Sequence, residues 1–507
     1  MRSICLYFQI HQPYRLRTYR FFDIGSSHHY YDEYQNRTII KRVVERSYLP
    51  MNRLLLDLIK EYGAAFKVSF SISGIAIDQF KQYSPEVIKS FKALADTGNV
   101  EFLAETYAHS LVSLKDKEEF KNQVEQHANT IEELFGRKPT SFRNTELIYS
   151  DEVGEQVLEM GFDVMLTEGA KHILGWKSPN FMYCNAVNPK LKLLLRNFQL
   201  SDDIGFRFSN QSWIEWPLTA EKFAKWINTY KNQQVVNIFL DYETFGEHQW
   251  KETGIFEFMK ALPKEVLSRT NFKFSTPSEL ANELQPVSAV SVPTPISWAD
   301  EERDLTAWLG NEMQDEAYDL LYSLKDKVHH CSDPEIKKDW LYLQTSDHFY
   351  YMCTKWFSDG AVHKYFNPYT TPYEAFINYM NILSDFISRV EENYIAPLET
   401  EETEQLYDVN GSGMISNHVS SEVEQDFDLI FSLSKKDLKK AIDKIDVKEL
   451  AYSLYDKAED KLSELKKKLP AAYKSELDKI IKEIKKPRRA TIENYRKKVA
   501  SKIQSYF

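Results

Sequence analysis

The first 285 residues alternate between short apolar runs and longer stretches with helical spacing. The short runs predict strands at 4–10, 66–73, 100–104, 140–145, 162–167, 191–197, 235–241 and 272–276. Between them, stretches such as 84–98 and 117–136 carry apolar residues three and four positions apart and end in glycine, as many helices do. This alternation predicts an α/β domain with a parallel sheet. Seven or eight repeats favour a closed barrel, with an open sheet as the alternative.

The pattern changes after the last predicted strand. The segment 285–295 is rich in Pro, Ser and Val and is typical of a linker, whereas 300–395 has helical spacing throughout. We therefore predict a barrel domain at 1–290 and an α-helical bundle at 296–396 that packs on it. Residues 397–430 are acidic and then rich in Gly, Ser and Asn, which indicates a flexible linker, and 431–507 predict a Lys-rich helical extension.

Charge is distributed unevenly along the chain. The whole sequence has 64 Lys and Arg against 75 Asp and Glu, a net charge of −11, whereas 435–507 has 22 basic against 12 acidic residues. Because the acidic main body lacks the clustered cations that bind a phosphate backbone, we expect no nucleic-acid partner. The basic extension is interpreted as a solvated helical hairpin, with a docking arm for an acidic partner as the alternative.

The sequence shows no signal for a membrane or a disulfide scaffold. No run approaches about 18 apolar residues, and the apolar start is too short for a signal peptide because His11 and Pro13 interrupt it. The four cysteines are widely spaced without a CxxC pair, which argues against disulfides and zinc. We expect a cytoplasmic protein with no membrane partner, no metal and no other cofactor, and the oligomeric state stays open.

Reactive side chains follow several predicted strands at the same end. His11 and Gln12 follow the first strand, Glu101, Glu105 and His109 surround the third, Arg143 and Glu146 the fourth, and Asp241 and Glu243 the strand at 235–241. One such residue alone is more often a cap or a surface group, but a barrel brings these strand ends to one mouth. Two carboxylates across that mouth are what cleavage of a glycosidic bond requires. Arg143 could keep Glu146 ionised.

Five segments resemble, in order, the five motifs of glycoside hydrolase family 57, the α-amylase and amylopullulanase family. They are HQP at 11–13, GNVEFLAETYAHS at 98–110, SFRNTELIYSD at 141–151, FLDYETFGEHQW at 239–250 and QTSDHFYYM at 344–352. HQP alone is a weak signal, whereas the third and fourth segments together are specific. The resemblance extends over roughly residues 1–390. It implies an incomplete (β/α)7 TIM-like barrel, a helical domain that completes the active site, and retaining action on α-glucans.

The resemblance also implies roles for the motif residues. Glu146 would be the nucleophile and Asp241 the general acid/base of a double displacement. His11 and His109, with Glu101 or Glu105, would hydrogen-bond the sugar, and Asp347 would complete the wall of the subsite. The other expected substrate contacts are Gln12, Arg143, Glu243, His248, Trp250 and Trp308. A core or capping role is the alternative for both tryptophans.

Three other functions are compatible with parts of this pattern. A metal-dependent deacetylase would carry HSxxH, but Ser113 stands where the second histidine belongs, and Asp202-Asp203 follow the first histidine instead of preceding it.

A 4-α-glucanotransferase or branching enzyme would share both carboxylates, because the outcome depends on whether water or a sugar reaches the glycosyl-enzyme. AETYAHS and DYETFGEH are closer to the amylase pattern and favour hydrolysis of α-1,4-glucosidic bonds. A glucan-binding protein without turnover would need neither carboxylate.

Overall fold

The computed structural model describes residues 2–355 and 367–394. By its internal contacts the chain divides into Met1–Ala396 and Pro397–Phe507. The predicted linker at 397–430 and the predicted extension at 431–507 therefore lie outside the described residues. The predicted boundary between a barrel and a helical bundle falls inside the first unit and stays a prediction.

Ten strands are present in the described part of the chain. They are β1 (Arg2–Ile10), β2 (Val68–Ile72), β3 (Val100–Phe102), β4 (Ser141–Arg143), β5 (Val164–Glu168), β6 (Tyr183–Asn185), β7 (Lys192–Arg196), β8 (Val235–Asp241), β9 (Phe272–Phe274) and β10 (Ala289–Val290). All eight predicted strands are confirmed. The sequence did not predict β6 and β10, because neither lies in an apolar run: β6 is Tyr183-Cys184-Asn185, and β10 is two residues inside the Pro- and Ser-rich segment. Since β10 pairs with β6, part of the predicted linker belongs to a sheet.

The strands form two five-stranded sheets. The first has the order β3-β2-β1-β8, with β9 pairing along the start of β1, and the second has the order β10-β6-β7-β5-β4. The sheets are linked between β3 and β4, where Ala104 N–H donates to the Ser141 carbonyl at 3.0 Å. They are linked again between β7 and β8, where Asn197 N–H donates to the Asn237 carbonyl at 2.9 Å. The structure confirms a mixed α/β fold whose strand pairs are mostly parallel.

Alternate residues of β1 face two different cores. Cys5 and Tyr7 belong to an inner cluster with side chains of β5, β7 and β8. Ile4, Leu6, Phe8 and Ile10 belong to an outer cluster under the surrounding helices. A strand covered on both faces needs apolar residues at nearly every position, which explains the continuous apolar run. β1 and β8 pair in register up to Gln9 and Asp241, so their carboxyl ends lie side by side.

The helices of the sheet region connect successive strands. They are α1 (Glu33–Val43), α2 (Leu49–Tyr62), α3 (Gly74–Tyr83), α4 (Pro85–Ala95), α5 (Lys117–Phe135), α6 (Asp151–Glu159), α7 (Lys171–Leu174), α8 (Phe198–Gly205), α9 (Ala220–Thr229), α10 (Ile255–Arg269) and α11 (Pro277–Glu283). Both predicted helices named above, at 84–98 and 117–136, are present as α4 and α5.

The described part of the region after β10 is helical from Glu312, whereas the prediction placed helical structure from 300. It contains α12 (Glu312–Tyr322), α13 (Lys325–His330), α14 (Pro334–Leu343), α15 (Ser346–Tyr350) and α16 (Pro372–Asn393). In the described ranges, no helix is long and apolar enough to cross a membrane. The four cysteines are buried as free thiols.

Candidate active site

Charged side chains gather at the carboxyl ends of the parallel strands. Arg143, Glu168, Arg196 and Asp241 are the last residues of β4, β5, β7 and β8. Glu105 follows β3, and its carboxylate accepts from the Gln9 side chain near the end of β1 at 3.3 Å. In α/β folds, ligands bind at this end of the sheet, so the strand ends define the candidate site.

Glu146 lies in a tight turn directly after β4. Its backbone is left-handed, with φ 57° and ψ 25°, and Leu147 follows with φ 53°. For a non-glycine residue this conformation costs on the order of 1–3 kcal/mol and persists only where the surroundings enforce it. Leu147 N–H donates to Asn144 O at 3.0 Å, and the hydroxyls of Thr145 and Thr106 are 2.7 Å apart. The turn therefore fixes the direction of the Glu146 side chain.

Both carboxylate oxygens of Glu146 accept a hydrogen bond. His109 Nε2 lies 3.1 Å from Oε1, and the indole N–H of Trp298 donates to Oε2 at 2.6 Å. Burial raises the pKa of Glu146, but the bond and charge of His109, the charge of Arg143 and the Trp298 bond outweigh it and lower the pKa below its ordinary value. Glu146 is therefore held ionised, and its side chain is still 18% exposed.

His109 lies between two carboxylates. Its Nδ1 donates to Glu105 Oε2 at 2.9 Å, and its Nε2 donates to Glu146. Burial lowers the pKa of His109, but the two carboxylates raise it overall to about 9. The same contacts, with the charge of Arg143, outweigh burial and lower the pKa of Glu105 to about 2. His109 is therefore a buried cation that bridges Glu105 and Glu146.

His11 stacks on His109 and connects it to the helical region. The two ring centroids are 3.9 Å apart and the planes differ by 16°. His11 Nδ1 lies 2.8 Å from Ser73 Oγ, and Nε2 lies 2.8 Å from Asp347 Oδ2 on α15. Burial and the nearby His109 cation lower the pKa of His11. A neutral ring that donates to Asp347 and accepts from Ser73 satisfies both contacts. Asp347 thus extends the site beyond the sheet.

Asp241 has surroundings of a different kind. Burial and the negative charge of Glu146 raise its pKa to about 6, against the opposing charges of Arg143, Arg196 and His109. Its strand β8 pairs with β1, which places Asp241 beside Gln9. A carboxyl group with this pKa can hold a proton near neutral pH and release it during a reaction.

Glu243 forms a buried network behind Asp241. Its Oε1 accepts from the Tyr48 hydroxyl and from Gln12 Nε2, the latter at 3.3 Å. Gln12 in turn accepts from Arg15 at 3.0 Å. Burial and the charge of Asp241 raise the pKa of Glu243 to about 8, so this carboxyl is neutral when Asp241 titrates. Gln12 and Glu243 therefore support the loop that follows Asp241.

The sequence did not predict the contribution of Trp298. Two guanidinium groups lie over its indole ring, Arg143 at 5.1 Å and Arg196 at 5.5 Å from the ring centroid. Arg196 also donates to Glu168 at 3.1 Å and to Asp202 at 2.6 Å. Trp298 follows a Pro-rich stretch with no periodic pattern, so only its type, an isolated tryptophan at the start of the predicted helical bundle, could have pointed to it.

Arg143 lies inside this cluster and not at its surface. Its side chain is fully buried and its Nη1 lies 3.9 Å from Glu105 Oε2. None of its guanidinium nitrogens has a hydrogen-bond acceptor among the described residues. It therefore acts on Glu105, Glu146 and Asp241 through its charge.

The remaining predicted substrate contacts are not among the groups described above that act on Glu146 and Asp241. Glu101 lies within β3, four residues before Glu105, where it accepts from Ser141 and from Ser278 N–H at 3.0 Å. Trp308 is 2% exposed and packs on Tyr350, so neither ring face is open to a sugar. His248 lies on the loop that follows Asp241, where burial lowers its pKa to about 4. Trp250 is 63% exposed on the loop that follows Asp241.

The described ranges contain no cluster of three or more His, Cys, Asp or Glu side chains that could hold a metal ion. Ser113, at the position where a deacetylase would carry its second histidine, accepts a hydrogen bond from Asn144 Nδ2 at 2.9 Å. This bond supports the segment that carries the Glu146 turn.

Comparison with known proteins identifies relatives of this chain. Residues 5–293 match the model of a family described as glycosyl hydrolase family 57. A curated relative from Methanocaldococcus jannaschii, named "Putative alpha-amylase", is 42% identical over 401 residues. That alignment covers 76% of this chain and 84% of the relative.

Solved structures share the fold at low sequence identity. A branching enzyme from Thermococcus kodakaraensis has a TM-score of 0.55 and 12% identity, and the match covers 78% of this chain and 94% of that one. A 4-alpha-glucanotransferase from Thermococcus litoralis has a TM-score of 0.51 and 15% identity, covering 69% of this chain. This chain spans 56% of the length of that glucanotransferase.

Proposed function

The chain belongs to glycosyl hydrolase family 57, and from that premise we propose that it cleaves α-1,4-glucosidic bonds of α-glucans or maltooligosaccharides with retention of configuration. One observation carries the proposal: two carboxyl groups at the same strand ends have pKa values shifted in opposite directions. A retaining glycosidase needs one carboxylate that stays ionised and one carboxyl that holds a proton. Glu146 and Asp241 meet these two requirements.

The first chemical step uses the two groups together. Glu146 attacks the anomeric carbon while Asp241 donates its proton to the departing glycosidic oxygen, so the bond breaks and a glycosyl ester forms. The cationic His109 and the Arg143 charge keep Glu146 ionised before the attack. The positive charges of Arg143, Arg196 and His109 oppose the protonation of Asp241 and hold its pKa near 6.

The second step reverses these roles. The Asp241 carboxylate takes a proton from water, and the resulting hydroxide attacks the anomeric carbon and releases Glu146. An acceptor sugar in place of water would give transfer instead of hydrolysis. The curated relative named as an α-amylase supports hydrolysis. Trp250 has an exposed indole on the loop after Asp241, and because aromatic faces stack on any sugar ring, it does not distinguish an acceptor sugar from the substrate.

The substrate contacts follow from the side chains that remain reachable. His11 and Asp347 form one wall, joined by their 2.8 Å hydrogen bond. His109 is 2% exposed and both of its ring nitrogens bond carboxylates, so it supports this wall by stacking on His11 and does not itself hydrogen-bond the sugar. The polar groups of His11 and Asp347 suit the hydroxyl groups of a glucose unit. We assign them to the sugar bound at the cleavage point.

The finer fold assignment is also part of the proposal. Following the pairings and the two links between the sheets, the order β1-β2-β3-β4-β5-β7-β8 returns to β1. We infer that these seven strands form an incomplete (β/α)7 barrel. The strand ends then share one mouth, which is consistent with the charge coupling between Glu146 and Asp241.

The test is to incubate the protein with soluble starch and maltooligosaccharides and to follow reducing ends and product lengths. We expect new reducing ends, with the anomeric configuration retained in the first product. Glu146→Gln and Asp241→Asn serve as controls. Products longer than the substrate, without new reducing ends, would identify a transferase. Glucan binding without turnover in the parent protein would contradict both enzymatic assignments.

A further inference from the structure

The nucleophile of the proposed reaction is held by two donors from different parts of the chain. His109 donates to Oε1 of Glu146, and Trp298 donates to Oε2 at 2.6 Å from 152 residues downstream. The terminal torsion of a glutamate is soft, so one hydrogen bond leaves the carboxylate free to swing about that contact. A second donor on the other oxygen fixes the carboxylate plane.

The Trp298 ring is itself held by two cation contacts. Arg143 lies over it at 5.1 Å and Arg196 at 5.5 Å from the centroid. Arg196 is fixed by Glu168, Asp202 and a 3.0 Å bond to the Phe239 carbonyl, so it cannot easily move away. The indole is therefore aimed by a stack that connects the ends of β4 and β7.

The backbone of Trp298 is tied to the same turn. Its N–H donates to the Glu146 carbonyl at 3.2 Å, and its own carbonyl accepts from Arg303. Two residues earlier, Ile296 exchanges backbone hydrogen bonds with Tyr149, at 2.9 and 3.1 Å. The segment 296–303 therefore moves together with the turn that carries the nucleophile.

We propose that Trp298 is a positioning residue of the reaction: its indole N–H fixes Oε2 of Glu146, and the Arg143 and Arg196 stack fixes the indole. The inference rests on the proposed function for its kinetic consequence but not for the hydrogen bond itself. Trp298 acts through Glu146, so it affects turnover and not substrate binding.

The test compares Trp298→Phe with Trp340→Phe. The first substitution keeps an aromatic ring under the two arginines but removes the N–H. The second substitution removes the buried indole N–H of Trp340, which lies on α14. This N–H donates to the Leu321 carbonyl at 3.3 Å and not to Glu146. We expect kcat of Trp298→Phe to fall about tenfold to a hundredfold with little change in KM, the range for a lost hydrogen bond to a charged group.

The pH profile separates positioning from a structural role. Without the Trp298 donor the pKa of Glu146 rises, so the acid limb of kcat/KM moves to higher pH in Trp298→Phe and stays in place in Trp340→Phe. An unchanged kcat and an unmoved acid limb in Trp298→Phe would overturn the proposal. A thermal unfolding curve for each variant controls for loss of folded protein.

A second readout does not depend on turnover. Tryptophan fluorescence of the parent protein should show a step as pH falls through the pKa of Glu146, because the acceptor of the Trp298 N–H becomes protonated. The step should be absent in Trp298→Phe and in Glu146→Gln, and present in Trp340→Phe. A step that persists in Trp298→Phe overturns the inference, whereas an inactive parent that shows the expected steps counts only against the proposed function.

Discussion

Glu146 and Asp241 carry the same chemical group at the ends of two strands, yet different parts of the chain surround them. Glu146 meets three groups that favour its charge: the His109 cation, the Arg143 charge and the Trp298 donor. For Asp241 the two largest influences are burial and the negative charge of Glu146, and both favour the neutral acid. The groups that stabilise the Glu146 charge come from three places in the chain: His109 after β3, Arg143 just before Glu146, and Trp298 far downstream. Glu243 behind Asp241 comes from the same loop as Asp241.

This difference shows that the role of a carboxyl group is set by its neighbours and not by its residue type. Glu105, although fully buried, has its pKa lowered to about 2 because His109 and Arg143 face it. Glu243, equally buried but near Asp241, has its pKa raised to about 8. The site therefore has an ionised half around His109 and a protonated half around Asp241.

The largest expected effect comes from removing each carboxyl group of the pair. Glu146→Gln should lower kcat/KM on the order of 10⁴-fold or more for every substrate, because no ester can form without the nucleophile. Asp241→Asn should lower it about 10²- to 10⁴-fold for maltooligosaccharides, but much less for an aryl α-glucoside whose leaving group needs no proton. Steady-state rates on both substrates measure the difference.

Added azide provides the control for this pair. It should restore turnover in Asp241→Asn with a product of retained configuration, because azide attacks the glycosyl ester and needs no base. In Glu146→Gln any restored product should have inverted configuration. If the two variants behaved alike with the aryl glucoside and with azide, the division of roles would be wrong.

The next comparison sets Glu105 against Glu101, four residues earlier in the chain. Glu105→Gln should lower kcat/KM about tenfold to a hundredfold, because His109 loses the carboxylate that keeps it cationic. Glu101→Gln should leave the rate unchanged and lower the free energy of unfolding by about 1 kcal/mol, because within the described ranges Glu101 bonds Ser141 and Ser278 and no other residue. Steady-state kinetics and urea unfolding of both variants measure these two effects. If Glu101→Gln and Glu105→Gln lost the same factor in kcat/KM, Glu101 would belong to the site.

The sequence was sufficient for the strands and for the end of the sheet where the chemistry lies. β1 and β8 were found because they bury both faces and therefore show an apolar run. β6 and β10 were missed because neither lies in an apolar run, and β10 pairs among the described strands with β6 alone, which also pairs with β7. These two strands form through tertiary pairing and have no local sequence pattern that predicts them.

The candidate site was predictable where motifs carry it, mostly next to strands and, for Asp347, on α15. Glu101 and Glu105 could not be told apart, because both lie in one motif, four residues apart. Trp308 was chosen and Trp298 was missed for a similar reason. An isolated tryptophan gives no signal of whether it enters a core, as Trp308 does, or contacts a carboxylate 152 residues away.

The pH dependence of the parent protein sharpens the comparison further. Asp241 must be protonated in the first step, and its raised pKa keeps it so up to about 6. Above that pH, kcat/KM for maltooligosaccharides should fall about tenfold per pH unit, since one proton is lost. Glu146 has a lowered pKa, so the acid limb lies well below the alkaline limb. A profile of kcat/KM that stays flat to pH 8 would exclude Asp241 as the acid. An aryl α-glucoside should keep its activity above pH 6, because its leaving group needs no proton.

The smallest expected effect belongs to Glu243. Because its pKa is raised to about 8, Glu243 is uncharged at the pH where Asp241 titrates, and Glu243→Gln changes neither the charge nor the shape of the network. The amide oxygen can still accept from Tyr48 and Gln12. We expect kcat within about threefold of the parent and an alkaline limb that hardly moves. An alkaline limb that moved clearly to lower pH would mean that Glu243 is charged in the parent protein and itself raises the pKa of Asp241. The protonated half of the site would then consist of two coupled carboxyl groups instead of one acid with a neutral neighbour.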